Sequence, residues 1–230
     1  MKPWIVRTSL ALNLLILALC VGVWLGRDQI IQSVLGRLAA ARISFFESFP
    51  AAPGDVVMLG DSITHGGEWS EMFPGLPIKN RGISGDTTTD VLLRLDPIIA
   101  AKPAAVFLKI GTNDLNRGPD RATSYQQYRQ IVSSIQAGSP TTAIFLQSVL
   151  PREAAMREEV EAYNRHIKAI ADELGVVYID LYPAFLAPDG SIRDELTLDE
   201  LHLSGEGYRV WQTRLEPVMR EADLDSGIAK

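Results

Sequence analysis

Val56-Val57-Met58-Leu59 is a short apolar run that stops at Gly60, and Asp61 and Ser62 follow at once. Such a run reads as a buried strand that turns sharply into a helix. A serine at that turn lies beside free backbone N–H groups, where negative charge is stabilised. That setting suits a hydroxyl nucleophile, although an ordinary N-cap serine would have the same local sequence. The second candidate lies far along the chain, in Thr197-Leu198-Asp199-Glu200-Leu201-His202-Leu203-Ser204. There His202 could take the proton from Ser62, while Asp199 holds the imidazole in the required tautomer. Asp194 and Glu195 are alternative carboxylates, but the three-residue spacing favours Asp199. Taken alone, Asp-x-x-His reads more readily as a surface loop.

The intervening sequence must bring these groups together. Strand candidates lie at 56–59, 77–80, 104–110, 142–148 and 176–180, and helical patterns near 68–72, 87–101, 121–137, 154–174 and 204–222. This alternation predicts an α/β fold: a doubly wound, flavodoxin-like α/β/α domain with a five-stranded parallel sheet. Ligands bind at the carboxyl ends of such strands. Those ends carry Gly60-Asp61-Ser62, then Asn80-Arg81-Gly82-Ile83-Ser84-Gly85-Asp86-Thr87, then Ile110-Gly111-Thr112-Asn113-Asp114, then Gln147-Ser148. Turn chemistry accounts for one such loop. It does not account for a serine, a glycine and an asparagine on one rim.

Gly60-Asp61-Ser62, Gly82 in its Asn-Arg-Gly loop, Gly111-Thr112-Asn113-Asp114 and Asp199-x-x-His202 occur in this order. Over roughly residues 55–215 the chain therefore resembles the SGNH hydrolase superfamily, the GDSL-type esterases. The wording around Gly85-Asp86-Thr87-Thr88 is most similar to the branch of platelet-activating-factor acetylhydrolase catalytic subunits. The resemblance implies Ser62 as nucleophile, His202 as base and Asp199 as its partner. It also implies an oxyanion hole of the Ser62 and Gly82 backbone N–H groups and the Asn113 side-chain amide. A neutral amide suits that task, and a glycine lets backbone approach the substrate. Ile63 departs from the leucine of the family name, an apolar exchange that bears on packing.

His65 is close to Ser62 in sequence, but the following helix should carry it away, and His166 falls within a helix as a surface residue. The α/β-hydrolase elbow is disfavoured because Thr64 stands where Gly-x-Ser-x-Gly needs its second glycine. Histidines at 65, 166 and 202 have no metal-ligand spacing, so no metal or other cofactor is expected. The net charge of −6 gives no basic footprint for nucleic acid. Cys20, the only cysteine, excludes an internal disulfide.

Residues 8–26 carry no charge between Arg7 and Arg27. As a helix they would extend roughly 28 Å, close to the thickness of a bilayer core. Trp4 and Trp24 stand near the two ends, where interfacial tryptophans collect. A membrane anchor is expected over 1–27. The rivals are a cleaved signal peptide, whose apolar core is about 7–15 residues, and a lipoprotein box at Leu17-Ala18-Leu19-Cys20, weakened by Leu19. An amphipathic helical connector is expected over 28–54, ended by Pro50-Ala51-Ala52-Pro53-Gly54. The hydrolase domain follows over 55–222, and a tail over 223–230. The expectation is a membrane-anchored, extracytoplasmic serine esterase acting on acetyl or other short acyl esters of glycans or lipids. Its alternatives are thioesterase or lysophospholipase activity and, from another class, a catalytically idle glycan-binding domain.

Overall fold

The computed structural model describes residues 3–222 and Leu224, apart from the side chains of residues 3, 5–11, 14, 15, 18, 25, 28, 30 and 32. The expected tail over 223–230 lies outside the described residues except for Leu224. The chain divides into two units, Met1–Ser44 and Phe45–Lys230. Helix α1 (Pro3–Ser48) makes up the first and supplies the opening turn of the second. Among the described residues no helix is long and apolar enough to cross a membrane. The side chains of residues 8–11, 14, 15, 18 and 25, within the expected span, are outside that description. Within the second unit the Arg81 guanidinium lies 4.6 Å over the Phe46 ring and donates to Phe49 O at 2.6 Å. These contacts tie Phe46 and Phe49 to the strand that holds Arg81 within the second unit.

In chain order the second unit continues with β1 (Val56–Gly60), α2 (Ser62–His65), α3 (Trp69–Met72), β2 (Ile78–Gly82), α4 (Thr88–Leu93), α5 (Asp96–Ala101), β3 (Ala105–Lys109) and α6 (Thr112–Arg117). Then come α7 (Arg121–Gly138), β4 (Ala143–Gln147), α8 (Arg157–Leu174), β5 (Val177–Ile179), α9 (Tyr182–Phe185) and α10 (Gly205–Glu221). All neighbouring strands pair in parallel, in the order β2-β1-β3-β4-β5. This is the flavodoxin-like order that the sequence pattern predicts.

Side chains alternate across a strand, so each strand feeds two cores. Val57, Leu59, Val106, Leu108 and Leu146 pack in one core with Val91, Tyr128, Ile131 and Tyr163. Val56, Met58, Phe107 and Phe145 pack in the other with Trp69, Phe185, Trp211 and Leu215. With both faces covered, β1, β3 and β4 read as nearly continuous apolar runs, whereas the edge strands β2 and β5 are only partly buried. The stretch expected as one helix over 87–101 is two, α4 and α5. Pro97 lacks the N–H that would bond back to Leu93, and its ring would clash there.

Parallel register sets the rim. Gly60 is level with Gly82 on one side and Lys109 on the other. A Cβ at Gly60 would stand 2.2 Å from Lys109 O and 2.3 Å from Thr64 Oγ1, so only glycine fits there. Gly60→Ala should therefore cost about 1–3 kcal/mol through overpacking. Calorimetric unfolding of the variant beside the unchanged protein measures it.

Candidate active site

Ser62 opens α2, and Asp61 is its N-cap, with Asp61 Oδ1 accepting from Ile63 N at 3.0 Å. The capping task thus falls to Asp61 and leaves the Ser62 hydroxyl for another partner. That partner is His202, whose Nε2 lies 3.0 Å from Ser62 Oγ across 140 residues of sequence. On the other side of the ring, His202 Nδ1 is 2.8 Å from Asp199 Oδ2. A carboxylate there favours the tautomer with its proton on Nδ1, which leaves Nε2 to accept from the serine hydroxyl. Asp199 Oδ1 also accepts from His202 N at 2.7 Å and Leu201 N at 3.2 Å. The hydrogen bond from the His202 side chain, followed by that from the His202 backbone, holds the Asp199 carboxyl below its ordinary pKa.

The loop that carries this pair is exposed, yet its ends are fixed. Leu196 and Leu203 are buried, and Thr197 and Leu203 form an antiparallel bridge. Leu198 N and Thr197 Oγ1 both donate to His202 O, at 2.9 Å each. Glu200 takes the left-handed conformation that the tight turn requires (φ 60°).

Asn113 lies in the first turn of α6 and donates one amide N–H to Asp86 O at 2.9 Å. The amide has a second N–H to donate. Gly82 sits as expected beside the serine turn, where a Cβ would meet His65 N at 2.2 Å. Its N–H, however, donates to Asn80 Oδ1 at 2.9 Å. The Asn80 amide is itself fixed by bonds from Nδ2 to His65 O and Gly67 O, at 2.9 and 3.1 Å. An oxyanion could take the Gly82 N–H only by sharing or displacing that contact.

The other candidates are engaged elsewhere. His65 Nδ1 lies 3.0 Å from Ser84 Oγ, and His166 stacks on Tyr125 with ring centroids 3.6 Å apart. Glu195 accepts from Arg193 Nε at 2.9 Å. Among the described residues no group of His, Cys, Asp or Glu is arranged to hold a metal ion.

Several neighbours of the site were not legible in the sequence. Lys109 is fully buried, with Nζ 4.0 Å from Asp61 Oδ1 and 5.8 Å from the centre of the Trp211 ring. Burial lowers its pKa, and the Asp61 charge opposes the shift. The only sequence signal was a lysine closing the apolar run Ala105-Val106-Phe107-Leu108. Asp86 pairs with Arg94 at 2.7 Å, and burial raises the Asp86 carboxyl to about 6 against the pull of Arg94.

A model of the GDSL-like lipase/acylhydrolase family matches residues 58–210, from β1 into α10. The chain belongs to that family. GDSL relatives include platelet-activating factor acetylhydrolase IB subunit alpha1 of Bos taurus, 31% identical over 164 residues that cover 67% of this chain and 70% of that protein. The alpha2 subunit of Rattus norvegicus is 30% identical, with 67% and 71% covered. Among solved structures, a GDSL-like lipase from Bacteroides thetaiotaomicron superposes with a TM-score of 0.66 at 24% identity, covering 82% of this chain and 98% of that one. The acetyl xylan esterase AlAXEase superposes with a TM-score of 0.61 at 24% identity, covering 71% and 98%. These two establish likeness of fold.

Asp114, next to Asn113, faces the other way. It is buried and accepts from Thr88 N, from Thr88 Oγ1 at 2.6 Å and from Ser124 Oγ at 2.8 Å. It ties the start of α4 to α6. Asp114→Asn should cost about 1–3 kcal/mol of stability by turning an acceptor into a donor among donors. Its kcat per folded molecule should fall far less than that of an Asn113 variant. Urea titrations and steady-state kinetics on both variants separate the two effects.

Proposed function

We propose that this chain is a serine ester hydrolase acting through an acyl-enzyme, with acetyl or other short acyl esters as substrates. The observation that carries the reading is the hydrogen-bonded series Asp199–His202–Ser62, with contacts of 2.8 and 3.0 Å, beside the Asn113 amide. Ser62 Oγ attacks the ester carbonyl as His202 Nε2 takes its proton. Asp199 holds the imidazole in position and stabilises the imidazolium. The oxyanion forms against the Ser62 N–H and the second Asn113 N–H, and the Gly82 N–H joins by giving up part of its bond to Asn80. His202 then returns the proton to the departing alcohol. It next activates water, which releases the acid and frees Ser62. Acetyl esters are proposed because the relatives at 31% identity are acetylhydrolases by name.

The reading includes an N-terminal membrane anchor with the hydrolase domain outside the cytoplasm. It is supported by the uncharged run 8–26, flanked by Arg7 and Arg27 and by Trp4 and Trp24. An enzyme so placed would act on esters of envelope glycans or lipids. The full chain should remain with membranes after a carbonate wash, whereas residues 28–230 should stay in the supernatant. Recovery of the full chain in the supernatant would remove the anchor from the account.

Ser62→Ala should lose covalent labelling by a fluorophosphonate and lower kcat by roughly 10⁴-fold or more, and His202→Ala added to it should cost little further. Asn113→Ala should lower kcat by roughly 10²–10³ with KM little changed. Continued labelling of Ser62→Ala would sink the nucleophile assignment, and an unlabelled, inactive parent protein would favour a binding domain. Rates on acetyl, butyryl and longer p-nitrophenyl esters measure the acyl preference, which should be greatest for acetyl.

A further inference from the structure

Two parts of the proposed oxyanion site come from different loops, and one side chain bonds a residue adjoining each. Arg94, at the end of α4, donates from Nε to Asp86 Oδ2 at 2.7 Å. Its terminal nitrogen donates to Gly60 O at 3.1 Å, two residues before Ser62. Gly60 O also accepts from Ile83 N at 3.1 Å, and Asp86 N donates to Ile83 O at 3.2 Å, so the loop from Gly82 to Asp86 is closed against the end of β1. Asp86 is also the residue whose carbonyl accepts the Asn113 amide at 2.9 Å. The guanidinium therefore spans from the nucleophile strand to the residue that orients Asn113.

The Arg94 and Asp86 side chains are only 10% and 9% exposed. Burying such a pair is costly, and apolar residues of similar volume often serve stability as well or better. A fixed two-pronged contact is what a guanidinium offers and an ammonium does not. We infer that Arg94 is a positioning residue for the ester-hydrolase site. By clamping Asp86 to Gly60 O, it sets the direction of the Asn113 amide relative to Ser62. The inference rests on the proposed role of Asn113.

The test is a double-mutant cycle between Arg94 and Asn113 in the full chain, with kcat counted per site titrated to completion by a fluorophosphonate. That count excludes unfolded molecules. Arg94→Lys keeps the charge and can reach Asp86 or Gly60 O, not both at once. It should lower kcat about tenfold, within the range by which contacting residues couple, and leave KM within about twofold. Arg94→Gln should behave in the same way. In an Asn113→Ala background, Arg94→Lys should change kcat less than about twofold, because the amide it positions is gone. An equal tenfold loss in that background would overturn the inference, as would parent kcat per site in both Arg94 variants. Failure of both variants to yield any titratable site would assign Arg94 to the fold alone and overturn it too. The ester-hydrolase reading stands or falls separately, on Ser62→Ala and on Asn113→Ala alone.

Discussion

The contact between Ser62 Oγ and His202 Nε2 has to be held from both sides by what surrounds it. It joins residues 140 apart at 3.0 Å, and neither end is held by deep burial of the reacting group. The Ser62 side is fixed from below. Gly60 is packed too tightly to accept a side chain, and Asp61 caps α2 so that the serine hydroxyl remains available. The His202 side is fixed by its flanks. Leu196 and Leu203 anchor in the core, and backbone bonds across the turn then leave the ring few places to go. Precision in an exposed loop comes here from what is buried on either side of it.

Around that contact the sheet places charge where charge is costly. Asp61 and Lys109 lie at the ends of neighbouring strands with no exposed surface, and Asp86 and Arg94 are nearly as buried. Each pair carries a desolvation cost that an apolar pair would avoid. Both sit directly beneath the rim that carries Ser62, Gly82 and Asn113. The hydrogen-bonded Asp86–Arg94 pair fixes directions that apolar packing leaves loose. The stretch that matches the GDSL-like lipase/acylhydrolase family begins within β1 and ends after His202.

Much of this was readable in the sequence, for physical reasons. β1, β3 and β4, buried on both faces, are apolar runs that the sequence places to within a few residues, while the edge strands β2 and β5 are less buried and are marked by their place in the strand–helix alternation. Chemically active side chains fall at strand ends, where turn chemistry alone cannot explain their types. What was not readable depends on tertiary contact. Neither the Asn80 amide on the Gly82 N–H nor Arg94 bridging two loops leaves a periodic signal. Helix α6 was hidden because Gly111-Thr112-Asn113-Asp114 has the composition of a loop. The break between α4 and α5 is marked in the sequence only by Pro97, which stands inside the expected 87–101 helix.

In the proposed reaction Ser62 carries the acyl group covalently between attack and hydrolysis. The most direct measurement is rapid acid quench of the protein turning over p-nitrophenyl acetate, followed by peptide mass spectrometry. One acetyl group is expected on the peptide that contains Ser62, appearing within the first turnover and lost as the substrate is consumed. Turnover without acetyl on that peptide, or acetyl carried on His65 or another residue in step with turnover, would contradict it.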